Sequence, residues 1–389
     1  MFFELIGKEI KQQFKSITFY LFIIILIFSY HTQFIGDLPD SIKPTPPNKE
    51  NGYNNYYGYT YDVSHMEEMK SVYSSLYRDY KNKETLIHGT VMNKTVKLSQ
   101  EQIDFLKKTM KKISIDGYQE KGLKIDITYE DYLDLMEEVD KKLGGDTYYD
   151  SEYRYMITRK RLSYEEALEN FNILMEKDKL TRGYGRLFAD YMGITAGIYL
   201  IFLSAFVITR DKRSKMDGLI YSRKISSFKY ILAKYIGLFV SVFIGYIVVA
   251  THATIMFTKI ASINNYTIDY FAFYKYTIIW IVPTILFTLS IGFIISIVFG
   301  NGIVAIPFQF ILFSRSVLPL SGDYGLDKFM IRFNSSGKYE QYIQWRPQII
   351  TNRIFYVILS IAILIISVLV FEWKRGRGDE FFTIKKRTG

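Results

Sequence analysis

Side chains that could do chemistry are few in this sequence and lie far apart. The absence of cysteine excludes a thiol nucleophile, a disulfide and a cysteine-ligated metal site. No GxxxxGK[ST] loop is present to bind ATP, and adjacent carboxylates such as Glu137 and Glu138 are typical of solvated helix surfaces. The four histidines, which lack the spacing of paired metal ligands, are His31, His65, His88 and His252. The sequence therefore predicts no catalytic residue, no metal ligand and no bound cofactor on this chain.

A second group of polar residues lies inside apolar stretches of the sequence. These residues are His252, Gln309 and Arg315, with Asp190 at the edge of another stretch. Polar side chains in a membrane can line a substrate path, and they can equally hydrogen-bond to neighbouring helices. We retain His252, Gln309 and Arg315 as candidates for a substrate path. No carboxylate falls in the middle of an apolar stretch, which argues against a proton antiporter.

The apolar stretches themselves are long enough to cross a bilayer. A helix of about 20 residues spans a hydrocarbon core of about 30 Å. Six transmembrane helices are predicted, at residues 17–35, 189–209, 235–257, 276–299, 303–318 and 354–371. The fifth predicted helix is short and contains Pro307. The first predicted helix is followed by bulky residues, which favours a retained membrane anchor over a cleaved signal peptide. The predicted fold class is an all-α polytopic membrane protein.

The basic residues of the short loops predict the orientation of these helices. They concentrate in the amino-terminal arm, in the loop after the second span and in the tail at 373–389. Six spans place all three on one side, and an excess of Lys and Arg marks the cytoplasmic side. The arm repeats apolar residues at helical spacing, as an amphipathic helix in the membrane interface would. Since the composition is typical of AT-rich bacterial genes, we expect a multi-pass protein of a bacterial cytoplasmic membrane with both termini cytoplasmic.

The segment 36–188 is predicted to form a mainly helical extracellular domain between the first and second spans. It lies between segment 1–35, the interfacial helix and first span, and segment 189–372, which holds the other spans. Three capping-box pairs mark helix starts: Ser64 with Glu67, Ser99 with Gln102, and Ser163 with Glu166. The tyrosine-rich stretch near its start fits either a recognition surface or ordinary packing, of which packing is favoured.

The densest basic run, at residues 210–234, lies between the second and third predicted spans. Nucleic acid is a poor partner for it, because the run is short, is flanked by membrane and lacks a nucleic-acid-binding fold. Anionic lipid would attract its charges. However, apolar residues alternate with the charges and Gly218 interrupts them. This pattern favours a short helix that docks on another protein.

On these residues the chain resembles the permease subunits of type-2 ABC exporters. In that family the loop carries a charged stretch, a glycine, apolar residues, a turn and then a lysine that opens the third span, and Gly218 and Lys234 match two of these positions. The family's loop is a coupling helix seated in a cleft of the ATPase. The resemblance implies this role for Asp217, Gly218, Leu219, Arg223, Lys224 and Lys234. Here the stretch before the glycine is mostly basic, whereas the family usually has acidic residues there.

The resemblance extends over the whole chain and implies a transport subunit that is not an enzyme. The family's segment before the last span, here 319–352 and predicted to be extracellular, forms re-entrant or outer helices. Two permease subunits, identical or paralogous, pair with separate ABC ATPase subunits that hold ATP and Mg²⁺. The implied function is export of a peptide, a lipid or another amphipathic substrate. Branches with a large insert include permeases linked to sodium export or to antimicrobial-peptide export and resistance. Membrane lipids are expected partners and nucleic acid is not.

Two alternatives stay open at this point. A membrane sensor or scaffold would bind a ligand through its extracellular domain, but the sequence offers no cytoplasmic output domain beyond a short tail. A membrane enzyme acting on lipid or peptidoglycan would need acidic or histidine residues clustered at one membrane face, and the sequence shows no such cluster.

Overall fold

A computed structural model describes residues 2–47, 57–60, 63–89, 93–115, 123–158, 160–213, 225–317, 320 and 322–377. The chain divides into two compact units. We call Met1–Ile42 with Glu169–Gly389 the membrane unit, and Lys43–Leu168 the inserted unit.

Helices dominate both units. In chain order they are α1 (Phe2–Gln13), α2 (Ile17–Ser29), α3 (His65–Asn82), α4 (Gln100–Ile113), α5 (Tyr129–Leu143), α6 (Tyr164–Ile173), α7 (Thr181–Ile198), α8 (Leu200–Arg213), α9 (Ser227–Asn264), α10 (Ala272–Tyr276), α11 (Val282–Phe299), α12 (Ala305–Ser316) and α13 (Tyr339–Arg377). π-helical turns extend α2, α6 and α10 through Tyr30–Ile35, Leu174–Asp178 and Thr277–Ile281, and 3₁₀ turns lie at Arg154–Met156 and Gly302–Val304. The short strands are β1 (Tyr59–Thr60), β2 (Glu84–Ile87), β3 (Lys94–Lys97) and β4 (Lys160–Arg161).

Within the described residues, five helical segments are long and apolar enough to cross a membrane. They are Ile17–Ile35, Thr181–Asp211, Ser227–Asn264, Ala272–Phe299 and Tyr339–Gly376. A shorter apolar helix, Gly302–Ser316, takes the place of the predicted fifth span. Its α-helical part has 12 residues and rises about 18 Å, less than the hydrocarbon thickness of about 30 Å. The predicted class, an all-α polytopic membrane protein, is confirmed.

The spans differ in how much of their apolar surface the protein itself covers. In the second and fourth spans 67% of the most apolar window is buried, compared with 28% in the first and last. Small residues allow the central helices to pack closely: a Cβ at Gly292 of α11 would collide with the Ser204 hydroxyl of α8. The central helices therefore form the core, while α2 and α13 keep wide apolar faces for lipid or another protein.

The first and third spans lead away from one end of the membrane unit, and the second, fourth and last spans lead back to it, with α12 returning the chain between the fourth and the last. As a result, α1, the end of α8, the start of α9 and the end of α13 meet at this end. We call this the basic end. Lys374 near the end of α13 donates hydrogen bonds to the carbonyl oxygens of Ile297 and Val298 at the end of α11, at 2.7 and 2.8 Å. At the opposite end the Thr181 hydroxyl, where α7 begins, donates to the carbonyl oxygen of Asp269 at 2.9 Å.

Two buried ion pairs hold the opposite end together. Residues 322–338 have no regular secondary structure, and 339–352 are the first turns of α13. Arg332 of the irregular segment donates to Asp190 of α7 at 2.8 Å, and the Phe333 amide donates to the same carboxylate at 2.7 Å. Arg186, one turn earlier on α7, donates to both oxygens of Asp178 at 2.8 and 2.6 Å. These contacts fix the irregular segment and the π-helical turn to α7.

Arg353 of α13 is buried at the same end, and its described partners are all uncharged. Its guanidinium donates to the carbonyl oxygens of Trp280 and Lys328 and to the side chains of Thr284 and Asn352. Trp280 lies in the π-helical turn before α11, where the regular ladder of carbonyl hydrogen bonds is interrupted. Arg353 therefore provides a donor for the Trp280 carbonyl oxygen of this turn and for the Lys328 carbonyl oxygen of the irregular segment.

The inserted unit packs α3, α4 and α5 around its own core. β1 pairs with β4 and β2 with β3, both antiparallel. The predicted capping boxes at Ser64 and Ser99 are confirmed, and Ser163 and Glu166 exchange the same two contacts at 2.8 and 3.2 Å. Several tyrosines are core residues, namely Tyr73, Tyr132 and Tyr149.

A buried carboxylate lies in this core. Asp79 of α3 accepts hydrogen bonds from Thr85 and Tyr149, both at 2.8 Å. Burial raises the pKa of Asp79 above its usual range, although both hydrogen bonds act in the opposite direction. The fold therefore makes Asp79 easier to protonate than it would be in the unfolded chain.

Candidate functional site

Lys234 and the two arms of the basic loop are described, whereas its tip is not. Asp217, Gly218, Leu219, Arg223 and Lys224, the other residues predicted to contact an ATPase, lie outside the described residues. The structure describes α8 as far as Arg213 and the chain again from Ile225. α9 then begins with a cap, since the Ser226 hydroxyl accepts from the Lys229 amide at 3.3 Å. The candidate site is built on these arms.

Lys234, two turns into α9, is buried and lies between two carboxylates. Its ammonium is 2.9 Å from Asp211 of α8 and 3.6 Å from Glu9 of α1. The Tyr230 hydroxyl also donates to Asp211. A single lysine therefore connects both arms of the loop with the amino-terminal helix.

Arg210 of α8 completes the cluster from the other arm. One of its terminal nitrogens donates to both carboxylate oxygens of Glu9, at 3.0 and 2.8 Å. Gln13, one turn further along α1, donates to Glu9 at 2.5 Å. Glu9 is only 6% exposed, so its charge is offset by Arg210 and Lys234 rather than by water. We call Glu9, Arg210, Asp211 and Lys234 the ionic cluster.

The backbones of α1 and α9 approach closely beside the ionic cluster. A Cβ at Gly237 would lie 2.7 Å from the Glu9 Cβ and 3.3 Å from the Ile6 carbonyl oxygen. Only a residue without a side chain fits there unless α1 moves. The glycine therefore lets Glu9 reach Lys234.

Gly237→Ala is expected to push α1 away from α9 and to destabilise the purified chain by about 1–3 kcal/mol. Gly7→Ala on α1 is the matched control, because a Cβ there meets no atom within 4 Å. We expect the control to be neutral or to stabilise by up to about 1 kcal/mol, since alanine favours a helix. Thermal unfolding in mild detergent measures both, and equal unfolding temperatures for the two variants would contradict the close approach.

The second arm of the loop also contacts the last helix. Arg375 near the end of α13 donates to the carbonyl oxygen of Ile225 at 2.5 Å. Together with the ionic cluster, this contact links the arms of the loop to α1 and α13. A displacement of the loop would therefore also displace α1, near the amino terminus, and α13, near the carboxyl terminus.

The candidates for a substrate path have different neighbours. His252 of α9 is exposed, and its Nδ1 is 2.8 Å from the Tyr30 hydroxyl of the first span. Gln309 of α12 is buried and donates to the Gly197 carbonyl oxygen of α7. The Arg315 side chain is exposed, and its carbonyl oxygen accepts from Lys328 at 2.7 Å. These contacts do not bring the three residues into one site.

Comparison with known proteins identifies the family. The model of the family described as ABC-2 family transporter protein matches residues 3–320. The chain belongs to the ABC-2 transporter family. No curated protein and no solved structure shows a significant match. Membership makes the chain a multi-pass transport subunit of the ABC type rather than an enzyme, and ABC-2 proteins generally associate with ABC ATPase subunits.

In this ABC-2 transporter the sequence singled out Lys234 only as a residue of the coupling loop, and it did not single out Glu9. The apolar residues that the arm repeats at helical spacing include Phe3 and Phe14, and the structure leaves these two 83% and 40% exposed. Glu9 and Gln13, one helical turn apart, instead face the protein and are buried. Their spacing was the available signal, because two polar residues on one face of a helix can meet a basic partner.

Proposed function

We propose that this chain is the permease subunit of an ABC exporter and that the ionic cluster couples its basic loop to the spans. The observation that carries the proposal is the link between both arms of the loop and α1 through the single buried carboxylate of Glu9. In an ABC-2 protein, a loop fixed in this way transmits force instead of swinging freely.

The loop tip would dock on an ATPase subunit through Asp217, Gly218, Leu219, Arg223 and Lys224. ATP and Mg²⁺ bind to that separate subunit, and this chain contributes no cofactor site. When the ATPase subunits close on ATP, they pull the loop. Lys234 then carries the displacement into α9, Glu9 into α1 and Arg375 into α13. Such a transition needs two states of the spans and a ligand that prefers one of them, here ATP.

A second permease subunit, identical or paralogous, completes the proposed transporter. The wide apolar faces of α2 and α13 support this, because part of them remains available to a second subunit while the rest contacts lipid. The substrate would pass between the two subunits and leave the cell. A peptide, a lipid or another amphipathic molecule fits an all-helical path with few charges, and antimicrobial peptides belong to this class.

The decisive experiment is purification of the tagged chain from its native host in mild detergent. A stoichiometric ATPase with a Walker loop is expected to co-purify. Arg223→Glu with Lys224→Glu should lower the amount of bound ATPase about tenfold, because the pair is expected to lie at the contact. Lys111→Glu with Lys112→Glu, an exposed adjacent pair on α4, is the control and should leave binding unchanged. A chain that purifies alone would favour the sensor or scaffold.

The proposed orientation places the basic end in the cytoplasm and the inserted unit outside the cell. Because the protein lacks cysteine, single cysteines report their own position. We expect Lys107→Cys, exposed on α4, to react with a membrane-impermeant maleimide in intact cells. Lys8→Cys, exposed on α1, should react only after the membrane is opened. The reverse labelling pattern would overturn the orientation.

A further inference from the structure

A half-open cavity of about 200 Å³ lies beside the ionic cluster, between the start of the first span and the end of α8. Gln13, Ser16, Thr18 and Arg210 form its polar lining, and Leu203, Phe206 and Val207 form its apolar lining. Leu203 precedes Arg210 by seven residues, or about 10 Å along the helix axis. The cavity is therefore polar near the basic end and apolar toward the middle of the span.

One hydroxyl group of the polar lining can donate a hydrogen bond to an anion. The hydroxyls of Ser16 and Thr18 lie 2.6 Å apart. One of them donates to the other, so the accepting hydroxyl keeps its own hydrogen for a further partner. Ser16 makes no side-chain hydrogen bond that caps α2. These hydroxyls are thus not required for the helix and face a cavity that can receive a polar group.

The surroundings favour an anionic and amphipathic occupant. Lys11 and Lys15 are exposed and lie within two residues of the lining residues Gln13 and Ser16 in the chain, so they add positive charge at this end of the first span. Beyond Thr18, the first span exposes Leu21 and Ile24 at 56% and 63%. An occupant with a phosphate at the rim and a hydrocarbon chain along Leu203 and Leu21 would match both the charge and the polarity of the cavity.

We propose that this cavity binds one anionic phospholipid, with the headgroup phosphate at Ser16, Thr18 and Arg210 and the start of an acyl chain along Leu203, Phe206 and Val207. The bound lipid would sit against the junction of α1 and α2, beside the ionic cluster. This site would make the position of α1 sensitive to anionic lipid, whether or not an ATPase is bound.

The test is native mass spectrometry of the purified, delipidated full chain, titrated with phosphatidylglycerol or with phosphatidylcholine of the same acyl chains. We expect one phosphatidylglycerol to bind at least about tenfold more tightly than phosphatidylcholine. Ser16→Ala with Thr18→Val removes both hydroxyls at nearly constant volume and should weaken phosphatidylglycerol binding about tenfold, because two hydrogen-bonding groups are lost. Val207→Phe should weaken both lipids by filling the apolar wall.

Two variants serve as matched controls for these changes. Thr258→Val removes a hydroxyl on α9 that bonds only within its own helix, and Val248→Phe enlarges a residue of α9 that is 60% exposed. Both should bind lipid like the wild type. Equal binding by the wild type and the Ser16/Thr18 variant would overturn the proposal, as would equal binding of the two lipids. Binding of glycerol phosphate as tight as that of phosphatidylglycerol would identify a phosphate site instead. A wild type that binds no lipid while two chains cross-link through Thr18→Cys would assign the cavity to a subunit interface.

Discussion

Glu9→Gln is expected to lower the permease-dependent ATPase activity of the complex about tenfold while leaving the chain folded and inserted. The amide keeps the size of the side chain and one oxygen acceptor. It removes the negative charge that offsets Arg210 and Lys234, and it turns an NH₂ group toward their donors. α1 should then separate from the arms of the loop. ATP turnover by the co-purified complex measures the effect.

Two further variants separate coupling from general damage. Glu4→Gln makes the same change at an exposed position of α1 and should leave turnover unchanged. Glu9→Gln with Arg210→Gln restores the balance of charge, since Lys234 and Asp211 remain as one pair at 2.9 Å. We expect this double variant to recover part of the lost turnover. Equal losses of ATP turnover in the Glu4 and Glu9 variants would show that the ionic cluster does not couple the loop to the spans.

Arg332→Ala is expected to have the largest effect on stability, a loss of about 3–5 kcal/mol in the free energy of unfolding. Asp190 is fully buried and would keep only the Phe333 amide as a described donor. The irregular segment 322–338 would then lose its main attachment to α7. Unfolding in mixed detergent micelles, followed by circular dichroism, measures the change.

The comparison for this variant is Arg346→Ala, at an exposed position of α13. It should change the free energy of unfolding by no more than about 0.5 kcal/mol. Asp190→Asn with Arg332→Met removes both charges and keeps an acceptor for the Phe333 amide, so a large part of the lost stability should return. If Arg332→Ala and Arg346→Ala unfold at the same detergent concentration, the ion pair contributes little.

The helices of this protein were predictable where one local rule decides them. Long apolar runs gave the spans, because a bilayer imposes one length on them. Ser64 and Ser99 marked helix starts, because capping joins residues only three apart. The span ends were less predictable: the last helix begins at Tyr339, 15 residues before its predicted start, since a helix can continue with polar residues beyond the apolar core.

The site was harder to predict because its contacts join distant parts of the chain. Glu9 meets Arg210 across 201 residues, and no rule of local spacing connects them. Lys234 was predicted only through the family resemblance, and its burial between two carboxylates depends on Gly237 of the next helical turn. For the fifth apolar helix, Pro307 was a local signal in the sequence that the helix would be short. Asp190 was noticed as a polar residue, but its partner Arg332 lies in a segment without any periodic pattern.

Because the outer spans are only partly buried by the protein, the bilayer can influence their positions. Only 28% of the apolar window of the first span is packed inside the membrane unit, so its depth and tilt depend on the thickness of the surrounding lipid. Ser16 alone intervenes between the turn that ends α1 and the start of α2. A thicker or thinner membrane would therefore displace α1 and, through Glu9, the arms of the basic loop. Acyl-chain length would thus act on the same buried carboxylate through which the proposed ATPase would act.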